Sequence, residues 1–225
     1  MDVTIIGYGK MGKEIEKVLL KRGHTIINIL NSTKDLETAK KSESVCIDFT
    51  SPSAFEKNYI LISEKFKSCV VGTTGWYKIL DEVKKVFNKN NSNLVYGSNF
   101  SVGVNVLFEM TDYASKLFSK LKDYDSYILE LHHKEKKDSP SGTAITIKEI
   151  IEKNFNKEIN VSSVRSGNIK GIHDVGFESG VDKINIRHEA YSREGFAYGA
   201  VLAAEWVKDI KGIKEFKELF KQKIL

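Results

Sequence analysis

Cysteine is scarce in this chain of 225 residues, which has only Cys46 and Cys69, each inside an apolar run. Two isolated cysteines exclude a disulfide framework, and they lack the spacing of a cysteine metal centre. We therefore expect two buried thiols and predict no metal site. Long apolar runs are also missing, so no segment is predicted to span a membrane.

The sequence also lacks a strong charge of either sign. Its 35 lysines and arginines against 30 aspartates and glutamates give a formal net charge of +5, spread along the chain. Because no basic cluster is interleaved with aromatics, a nucleic-acid partner is not predicted, whereas anionic small molecules would be attracted. The start, Met1–Thr4, leads straight into a strand-like run instead of a signal peptide, which favours the cytoplasm.

The first half of the chain alternates short apolar runs with helical patterns. Between the runs, apolar residues recur at helical spacing. This alternation predicts an α/β fold, a Rossmann-type doubly wound parallel sheet with its ligands at the carboxyl ends of the strands. The predicted strands are Val3–Ile6, Thr25–Leu30, Val45–Phe49, Cys69–Val71 and Leu94–Tyr96.

A glycine-rich turn, G-Y-G-K-M-G, follows the first predicted strand and opens a helix. In this context the G-x-G-x-x-G pattern predicts dinucleotide binding. Gly7 allows the tight turn, Gly9 lets the backbone approach a pyrophosphate, and Gly12 lets helix and strand pack closely. The alternative is a glycine-rich turn that binds no ligand.

The end of the second predicted strand lacks the acid that usually holds the adenosine ribose. Asn31 stands there, followed by Ser32, Thr33 and Lys34. Without a carboxylate NAD has no strong ribose anchor, whereas two hydroxyls and an ammonium suit a 2′-phosphate. We hypothesise that NADPH is used at least as well as NADH.

The pattern changes from Val104 onward. A long predicted helix, Val104–Lys120, precedes a strand, and after a helix over 142–155 three strand-like runs follow, joined by short glycine-bearing gaps. This half therefore predicts a smaller α+β domain with a mixed sheet and helices on one face. At the end of the chain, Ile213–Phe220 is predicted as an amphipathic helix.

The densest group of ionisable residues connects a predicted strand to a predicted helix. It reads E-L-H-H-K-E-K-K-D-S-P-S-G-T-A from Glu130 to Ala144. A helix start offers unpaired N–H groups and a positive dipole end, which suit an anion. Proton donors beside an anion site predict the reduction or protonation of a small acidic molecule. Each piece alone favours a structural histidine, a solvated charge run or a helix cap, whereas all of them together in one short stretch favour a functional site.

This stretch resembles the signature of the dihydrodipicolinate reductase family, E-x-H-H-x-x-K-x-D-A-P-S-G-T, with Ser139 in place of the alanine. Four further segments resemble family patterns in the expected order. They are Asp48–Pro52 (D-F-[ST]-x-P), Gly72–Gly75 (G-T-T-G), Gly97–Gly103 (A-x-[NM]-[FM]-S-x-G, with Gly97 for alanine) and Arg165–His173 (R-x-G-x-I-x-G-x-H).

The resemblance implies NAD(P)H-dependent reduction of 4-hydroxy-tetrahydrodipicolinate, which is dihydrodipicolinate after loss of water, to tetrahydrodipicolinate. This reaction belongs to lysine and diaminopimelate biosynthesis, and a cytoplasmic homotetramer is implied. The tail is expected to return to the nucleotide domain. The predicted domains are therefore 1–103 with 194–225 for the dinucleotide, and 104–193 for substrate binding and oligomerisation.

Matching positions imply His132 and Lys136 as proton donors, with His133 assisting substrate binding. The substrate carboxylate is expected at the helix start, at Ser141, Gly142 and Thr143. Asp138 is interpreted as orienting the loop or capping the helix, and both His173 and His188 fit a structural role as well as a ligand contact. The residues predicted to bind NADPH or NADH are Gly7, Tyr8, Gly9, Lys10, Met11, Gly12, Asn31, Lys34, Gly72, Thr73, Thr74, Gly97, Ser98, Asn99 and Phe100.

Two other functions fit the same layout. One is a different NAD(P)-dependent dehydrogenase, acting for example on aspartate semialdehyde or homoserine, which would lack the loop from Glu130 to Ala144. The other is a module that senses NAD(P) without turnover, and the density of ionisable groups in the loop argues against it.

Overall fold

The computed structural model describes residues 1–225, which form two compact units. The first comprises Met1–Ser101 and Arg193–Leu225, and the second, Val102–Ser192, is inserted between them. In chain order the elements are β1 (Asp2–Ile6), α1 (Lys10–Lys21), β2 (Thr25–Leu30), α2 (Thr33–Thr38), β3 (Ser42–Asp48), α3 (Pro52–Lys65), β4 (Phe66–Val71), α4 (Leu80–Lys89), β5 (Asn93–Tyr96), α5 (Val102–Phe118), β6 (Asp125–His132), α6 (Gly142–Phe155), β7 (Asn160–Arg165), β8 (Ile172–Glu178), β9 (Lys183–Glu189), α7 (Glu194–Trp206), β10 (Ile213–Glu215) and α8 (Phe216–Ile224).

The first unit contains a six-stranded sheet in the order β10-β5-β4-β3-β1-β2. All of its neighbouring strands are parallel. Val45, Ile47 and Val70 have no exposed surface, because strands in the middle of such a sheet are covered on both faces. The predicted doubly wound fold is confirmed, and the strand order reverses between β1 and β3. Ligands of such sheets bind outside the carboxyl ends of the strands at this reversal.

Two groups of helices cover this sheet. Helices α1 and α7 pack together, with α7 against β3 and β4, while α2, α3 and α4 pack together and α3 also contacts β3 and β4. Helix α1 buries Ile15, Val18 and Leu19, an i, i+3, i+4 stripe typical of a helix with one apolar face. None of the helices in the protein is both long and apolar enough to cross a membrane.

The end of the chain differs from its predicted helix. Ile213–Glu215 is a strand that pairs in parallel with Leu94–Tyr96 of β5, and α8 begins only at Phe216. The prediction of a helix over Ile213–Phe220 is therefore wrong at its start, because pairing with an open sheet edge overrides the local helical spacing. A second unpredicted element is α2, whose start is fixed by a capping box between Ser32 and Asp35.

The second unit contains a four-stranded sheet in the order β7-β6-β8-β9. Strands β6 and β7 are parallel and the other pairs are antiparallel, which confirms the predicted mixed sheet. Burial alternates along β6, so Ile128 is buried while Leu129 is only partly covered. Helices α5 and α6 pack on the face that carries Ile128, where Phe177 and Ile147 complete the core.

The C-terminal segment is held to the rest of the first unit by close packing. The guanidinium of Arg22, just after α1, forms two hydrogen bonds of 2.8 Å with the carboxylate of Glu205 in α7. The Phe216 ring stacks on Phe100 with centroids 4.6 Å apart. At Gly199 the backbone of α7 approaches the carbonyl group of Phe100 so closely that a side chain would overlap its oxygen.

Replacing Gly199 by alanine should therefore lower the free energy of unfolding by about 1–3 kcal/mol, because the added methyl group forces α7 away from Phe100. Urea unfolding measures this change. Gly195→Ala is the matched control on the same helix, since its methyl group would lie 3.8 Å from the Ser101 hydroxyl, an ordinary contact. Equal stability of the two variants would contradict the prediction.

Candidate functional site

The turn between β1 and α1 has the geometry of a pyrophosphate site. Gly7 adopts φ +88°, a conformation that favours glycine. A side chain on Gly12 would overlap the Gly7 carbonyl oxygen, so α1 starts directly against the turn. Gly9 precedes α1, and a Cβ atom there would meet nothing within 4 Å. The turn is therefore closed on its protein side and open at Gly9.

The loops after four neighbouring strands meet beside this turn. A Cβ atom on Gly7 would lie 2.8 Å from the Thr50 methyl group, and one on Gly72 would overlap the Phe49 ring. The Phe49 and Phe100 rings lie 5.9 Å apart. The loops that follow β1, β3, β4 and β5 thus form one continuous edge, as a parallel sheet requires.

The predicted cofactor residues along this edge differ in their solvent exposure. Phe100 is only 2% exposed and belongs to the core beside Phe216, so its predicted contact with the nicotinamide stays a prediction. The hydroxyl of the buried Thr73 donates to the Asp48 carboxylate at 3.1 Å. The exposed members of the predicted set are Gly9, Lys10, Asn31, Lys34, Thr74 and Ser98, the partly buried ones Gly7, Tyr8, Met11, Gly72 and Asn99, and Gly12 and Gly97 are buried.

A carboxylate from the next helix reaches back to the end of β2, which corrects the expectation that this end lacks an acid. Asp35, in the first turn of α2, accepts hydrogen bonds from the backbone N–H groups of Asn31 and Ser32 at 2.9 and 3.0 Å. These bonds, led by that from Asn31, lower the pKa of Asp35. The Asn31 side-chain oxygen accepts from the Tyr8 N–H at 3.1 Å. The exposed Lys34 therefore shares this end with an ionised carboxylate.

In the second unit, strand register gathers ionisable side chains on the helix-covered face of the sheet. His132 is paired with Arg165 across β6 and β7, and Glu130 with His173 across β6 and β8. One Glu130 oxygen accepts from the Arg165 guanidinium at 2.7 Å, and the other lies against Nδ1 of His132. The His132 and His173 rings meet edge to face, with centroids 5.2 Å apart.

The loop that follows β6 is fastened to this cluster at both ends. The Arg165 guanidinium donates to the Asp138 carbonyl oxygen, and the backbone N–H of Ser141 donates to Glu130 at 3.2 Å. The Ser141 hydroxyl accepts from the Ala144 N–H, so Ser141 caps α6 and Asp138 does not.

Lys136 lies near the middle of this loop. Its ammonium group pairs with the Asp138 carboxylate at 2.8 Å and is partly exposed. The exposed Gly142 opens α6, where a Cβ atom would meet nothing within 4 Å. The second unit thus presents an ammonium group, an imidazole and an open helix start on a single loop.

Two sequence profiles match the two parts of the chain. The profile described as "Dihydrodipicolinate reductase, N-terminus" matches residues 1–100, and "Dihydrodipicolinate reductase, C-terminus" matches residues 103–220. A 4-hydroxy-tetrahydrodipicolinate reductase of Christiangramia forsetii is 39% identical, over 97% of each chain. The chain belongs to the dihydrodipicolinate reductase family. The predicted family is thereby confirmed, and a reductase of Thermosipho africanus with the same name is 36% identical over 99% of each chain.

Solved structures support the same fold. A dipicolinate-bound dihydrodipicolinate reductase from Paenisporosarcina sp. TG-14 superposes with a TM-score of 0.80 at 20% identity, over 97% of this chain and 99% of the other. A probable dehydrogenase from Thermotoga maritima, with a TM-score of 0.60 at 9% identity, covers 99% of this chain and 93% of its own. At these identities the likeness concerns the fold alone.

The sequence interpretation assigned no role to two residues at the centre of this reductase's second unit, Glu130 and Arg165. Both belong to segments that resemble the family, and the E-x-H spacing places Glu130 and His132 on the same strand face. That spacing is the signal that could have identified Glu130. The meeting of Arg165 with Glu130 depends on how β7 pairs with β6, which local spacing does not indicate.

The cluster contains both a neutral histidine, His173, and an ionised carboxylate, Glu130. Burial, followed by the neighbouring His132, lowers the pKa of His173 to about 3, so His173 is neutral. Burial also lowers the pKa of His132, although Glu130 opposes this shift. Burial raises the pKa of Glu130, but the hydrogen bond from Arg165, the nearby Ser163 hydroxyl and the neighbouring His132 outweigh it and hold the pKa below its usual value. Glu130 is therefore an anion.

One carboxylate oxygen and two ring nitrogens of this cluster lie within 4.8 Å of one another, a separation that a metal ion could bridge. The guanidinium of Arg165 already supplies the positive charge opposite Glu130. A second cation there would be repelled, so we assign no metal to this cluster, and the expectation of a metal-free protein stays a prediction.

His173 should make folding stability depend on pH. Its pKa in the folded protein lies below the unfolded value near 6.5, so the free energy of unfolding should fall as pH decreases from about 6.5 towards 3, by up to about 1.4 kcal/mol per pH unit for one proton. Urea unfolding between pH 7 and 5 measures the slope, above the range where carboxylates titrate. His173→Gln should have a shallower slope, and equal slopes in the two proteins would contradict this prediction.

Proposed function

We propose that this protein reduces 4-hydroxy-tetrahydrodipicolinate, or dihydrodipicolinate after loss of water, to tetrahydrodipicolinate in lysine and diaminopimelate biosynthesis. The observation that carries the proposal is that His132 at the end of β6, Lys136 in the loop that follows and the open start of α6 lie along one short segment of a member of the dihydrodipicolinate reductase family. Relatives with the name of this activity cover almost the whole chain. The loop also favours this reaction over other dehydrogenases and over a non-catalytic sensor.

The cofactor is NADPH or NADH, held by a dinucleotide-binding domain over 1–103 with 194–225, close to the bounds of the first unit. When bound, its nicotinamide supplies a hydride to an electron-poor carbon of the substrate ring. The open position at Gly9 and the close packing of Gly12 on Gly7 fit a pyrophosphate at the start of α1. Lys34 supports a 2′-phosphate and Asp35 supports ribose hydroxyls, so the end of β2 suits both cofactors.

The substrate belongs to a substrate-binding domain over 104–193, close to the bounds of the second unit, where its carboxylates need positive partners. The Paenisporosarcina relative is described as dipicolinate-bound, which supports a dicarboxylate ligand for this chain too. Gly142 and Thr143 at the start of α6 would receive one carboxylate, with His133 nearby in the loop. Both polar groups of Ser141 are engaged within the protein, so Ser141 would act mainly by shaping this turn.

The proton that completes the reduction would come from Lys136 or His132. The Lys136 ammonium is half of an ion pair with Asp138 and remains partly exposed, so it can turn towards an arriving anion. His132 is buried, and burial lowers its pKa. Because a dianion nearby favours the charged imidazole, substrate binding would raise the proton occupancy of His132.

We also propose that the protein is a cytoplasmic homotetramer. The helices of the second unit, α5 and α6, leave uncovered the other face of its sheet, which carries Tyr127, Leu129 and Leu131, and this supports its use as a subunit interface. The neighbouring free thiols Cys46 and Cys69 suit a reducing compartment. A monomer in sedimentation experiments would contradict the proposed tetramer. Enrichment outside the cytoplasmic fraction would contradict the proposed location.

The deciding experiment supplies freshly generated dihydrodipicolinate to the purified protein and follows the absorbance of NADPH and, separately, NADH. Oxidation that depends on both substrate and protein would support the proposal. Cofactor binding without turnover would favour a sensor, and turnover only with aspartate semialdehyde or homoserine would favour a different dehydrogenase.

Lys136→Ala should lose most of kcat, about a hundredfold or more if Lys136 acts as a general acid, and should also raise KM because the ammonium binds an anion. Steady-state kinetics separates the two effects. Lys137→Ala, which removes the exposed neighbouring ammonium group, is the matched control and should behave like the parent. Near-native turnover of Lys136→Ala would remove Lys136 from catalysis.

Gly9→Ala should leave the folded protein intact but weaken cofactor binding. A methyl group at Gly9 meets no protein atom within 4 Å, so the melting temperature should stay close to that of the parent. The same methyl group would occupy the space of the pyrophosphate, which should raise Kd for NADPH and NADH by at least about tenfold, or 1.4 kcal/mol. Calorimetric titration measures Kd. Unchanged affinity of Gly9→Ala for NADPH and NADH would mean that the pyrophosphate binds elsewhere. Gly195→Ala is the control for the effect of an added methyl group.

A further inference from the structure

Glu130 has no assigned part in the reaction, yet it is the most deeply placed charge of the second unit. Its side chain has no exposed surface. Burying a carboxylate is costly unless charges and hydrogen bonds compensate it. Here the Arg165 guanidinium and the Ser141 backbone N–H both donate to one oxygen, at 2.7 and 3.2 Å.

Farther along the same sheet face, the largest buried side chains are apolar. Ile128, Val175 and Phe177 fill it under α5 and α6, with at most 1% of each exposed. A buried ion pair is often no more stabilising than apolar side chains of similar volume. Stability alone therefore does not account for a charged cluster at this end of the face.

The two oxygens of Glu130 face two parts of the proposed site. The first joins Ser141, which caps α6, and Arg165, which also holds the Asp138 carbonyl oxygen of the loop. The second lies against Nδ1 of His132 as an ion-pair contact, and neither of these two atoms forms a hydrogen bond with any group of the protein. A carboxylate oxygen is an acceptor, so Nδ1 must carry a proton.

The other ring nitrogen of His132 is left for proton exchange. Gly171 lies beside it, and a Cβ atom at Gly171 would approach Nε2 to 3.1 Å. Gly171 also has φ +149°, a conformation that favours glycine. The backbone thus leaves room at Nε2 on the side opposite the Nδ1 contact.

We propose, on the basis of the proposed function, that Glu130 is a positioning residue for His132. It holds the imidazole with the proton on Nδ1 and ties this orientation to the helix start expected to receive the substrate carboxylate. Arg165 is the counter-ion that keeps the Glu130 carboxylate ionised in its buried position.

The charges around His132 determine what the loss of Glu130 would do. Glu130 faces the ring from β6, Arg165 from β7, His173 from β8 and Lys136 from the loop. Glu130 is the one anion among these groups. Its replacement by glutamine leaves His132 among cationic and neutral groups, which disfavours the imidazolium.

The first test uses the unmodified protein and does not depend on turnover. Two-bond ¹H–¹⁵N correlation spectra of the histidine rings distinguish the two neutral tautomers, and His132→Gln assigns the signal. The proposal requires His132 to be protonated on Nδ1 when neutral. A neutral His132 protonated on Nε2 would overturn it, whether or not the protein reduces dihydrodipicolinate.

The second test is Glu130→Gln, which keeps the shape and one acceptor oxygen. Its amide would donate to Nδ1 and move the ring proton to Nε2. We expect this change of tautomer in the spectra. We also expect kcat to fall at least about tenfold while KM changes by less than about threefold. As pH rises, kcat/KM should begin to fall at a lower pH in Glu130→Gln than in the parent.

Glu178→Gln is the matched control, because Glu178 is an exposed carboxylate at the other end of β8 that pairs loosely with Lys183. It should change neither the spectra nor the kinetics. If Glu130→Gln melts at lower temperature but keeps the parent tautomer, pH profile and kcat, Glu130 is structural and the proposal fails. If the parent protein has no reductase activity, the proposed function fails, while the tautomer result still decides the position of the proton.

Discussion

A charged network enclosed at one end of an apolar sheet face is the constraint on which the second unit depends. Because Glu130 has no contact with water, every donor around it must be supplied by the protein. The groups around it come from three places in the chain: Arg165 on the neighbouring strand β7, the Ser141 N–H just before α6, and His132 on β6 itself. The carboxylate thus fixes the loop and the strand relative to each other, and their side chains cannot be rearranged independently.

The first unit obtains its ligand edge by a different physical route. There, order comes from backbone packing where glycines leave no room for side chains, as at Gly12 against Gly7 and Gly72 under the Phe49 ring. The contact of Gly12 with the Gly7 carbonyl is rigid because it joins backbone to backbone, so no side-chain rotamer can relieve it. The first unit therefore orders the edge proposed for the cofactor by close packing, and the second orders the loop proposed for the substrate by charge.

The sequence predicted those parts of the structure that local spacing controls. The strand–turn–helix around Gly9, the helix over 142–155 and the mixed sheet of the second half follow from short-range periodicity and turn residues. Ile213–Glu215 was misread because it becomes a strand only by pairing with β5, far away in the chain. Asp35 was overlooked because the usual rule inspects the end of the strand, whereas this carboxylate reaches back from the next helix.

The insertion of one unit into the other has a consequence for biosynthesis on the ribosome. Strand β5 leaves the ribosome early, but its partner β10 and the covering helix α7 are translated only after the whole of Val102–Ser192. Until then, the nascent chain displays an unpaired strand border and the bare apolar surface that α7 later covers. The inserted unit contains its own complete sheet and core, so none of its strands waits for the late C-terminal segment to find a partner.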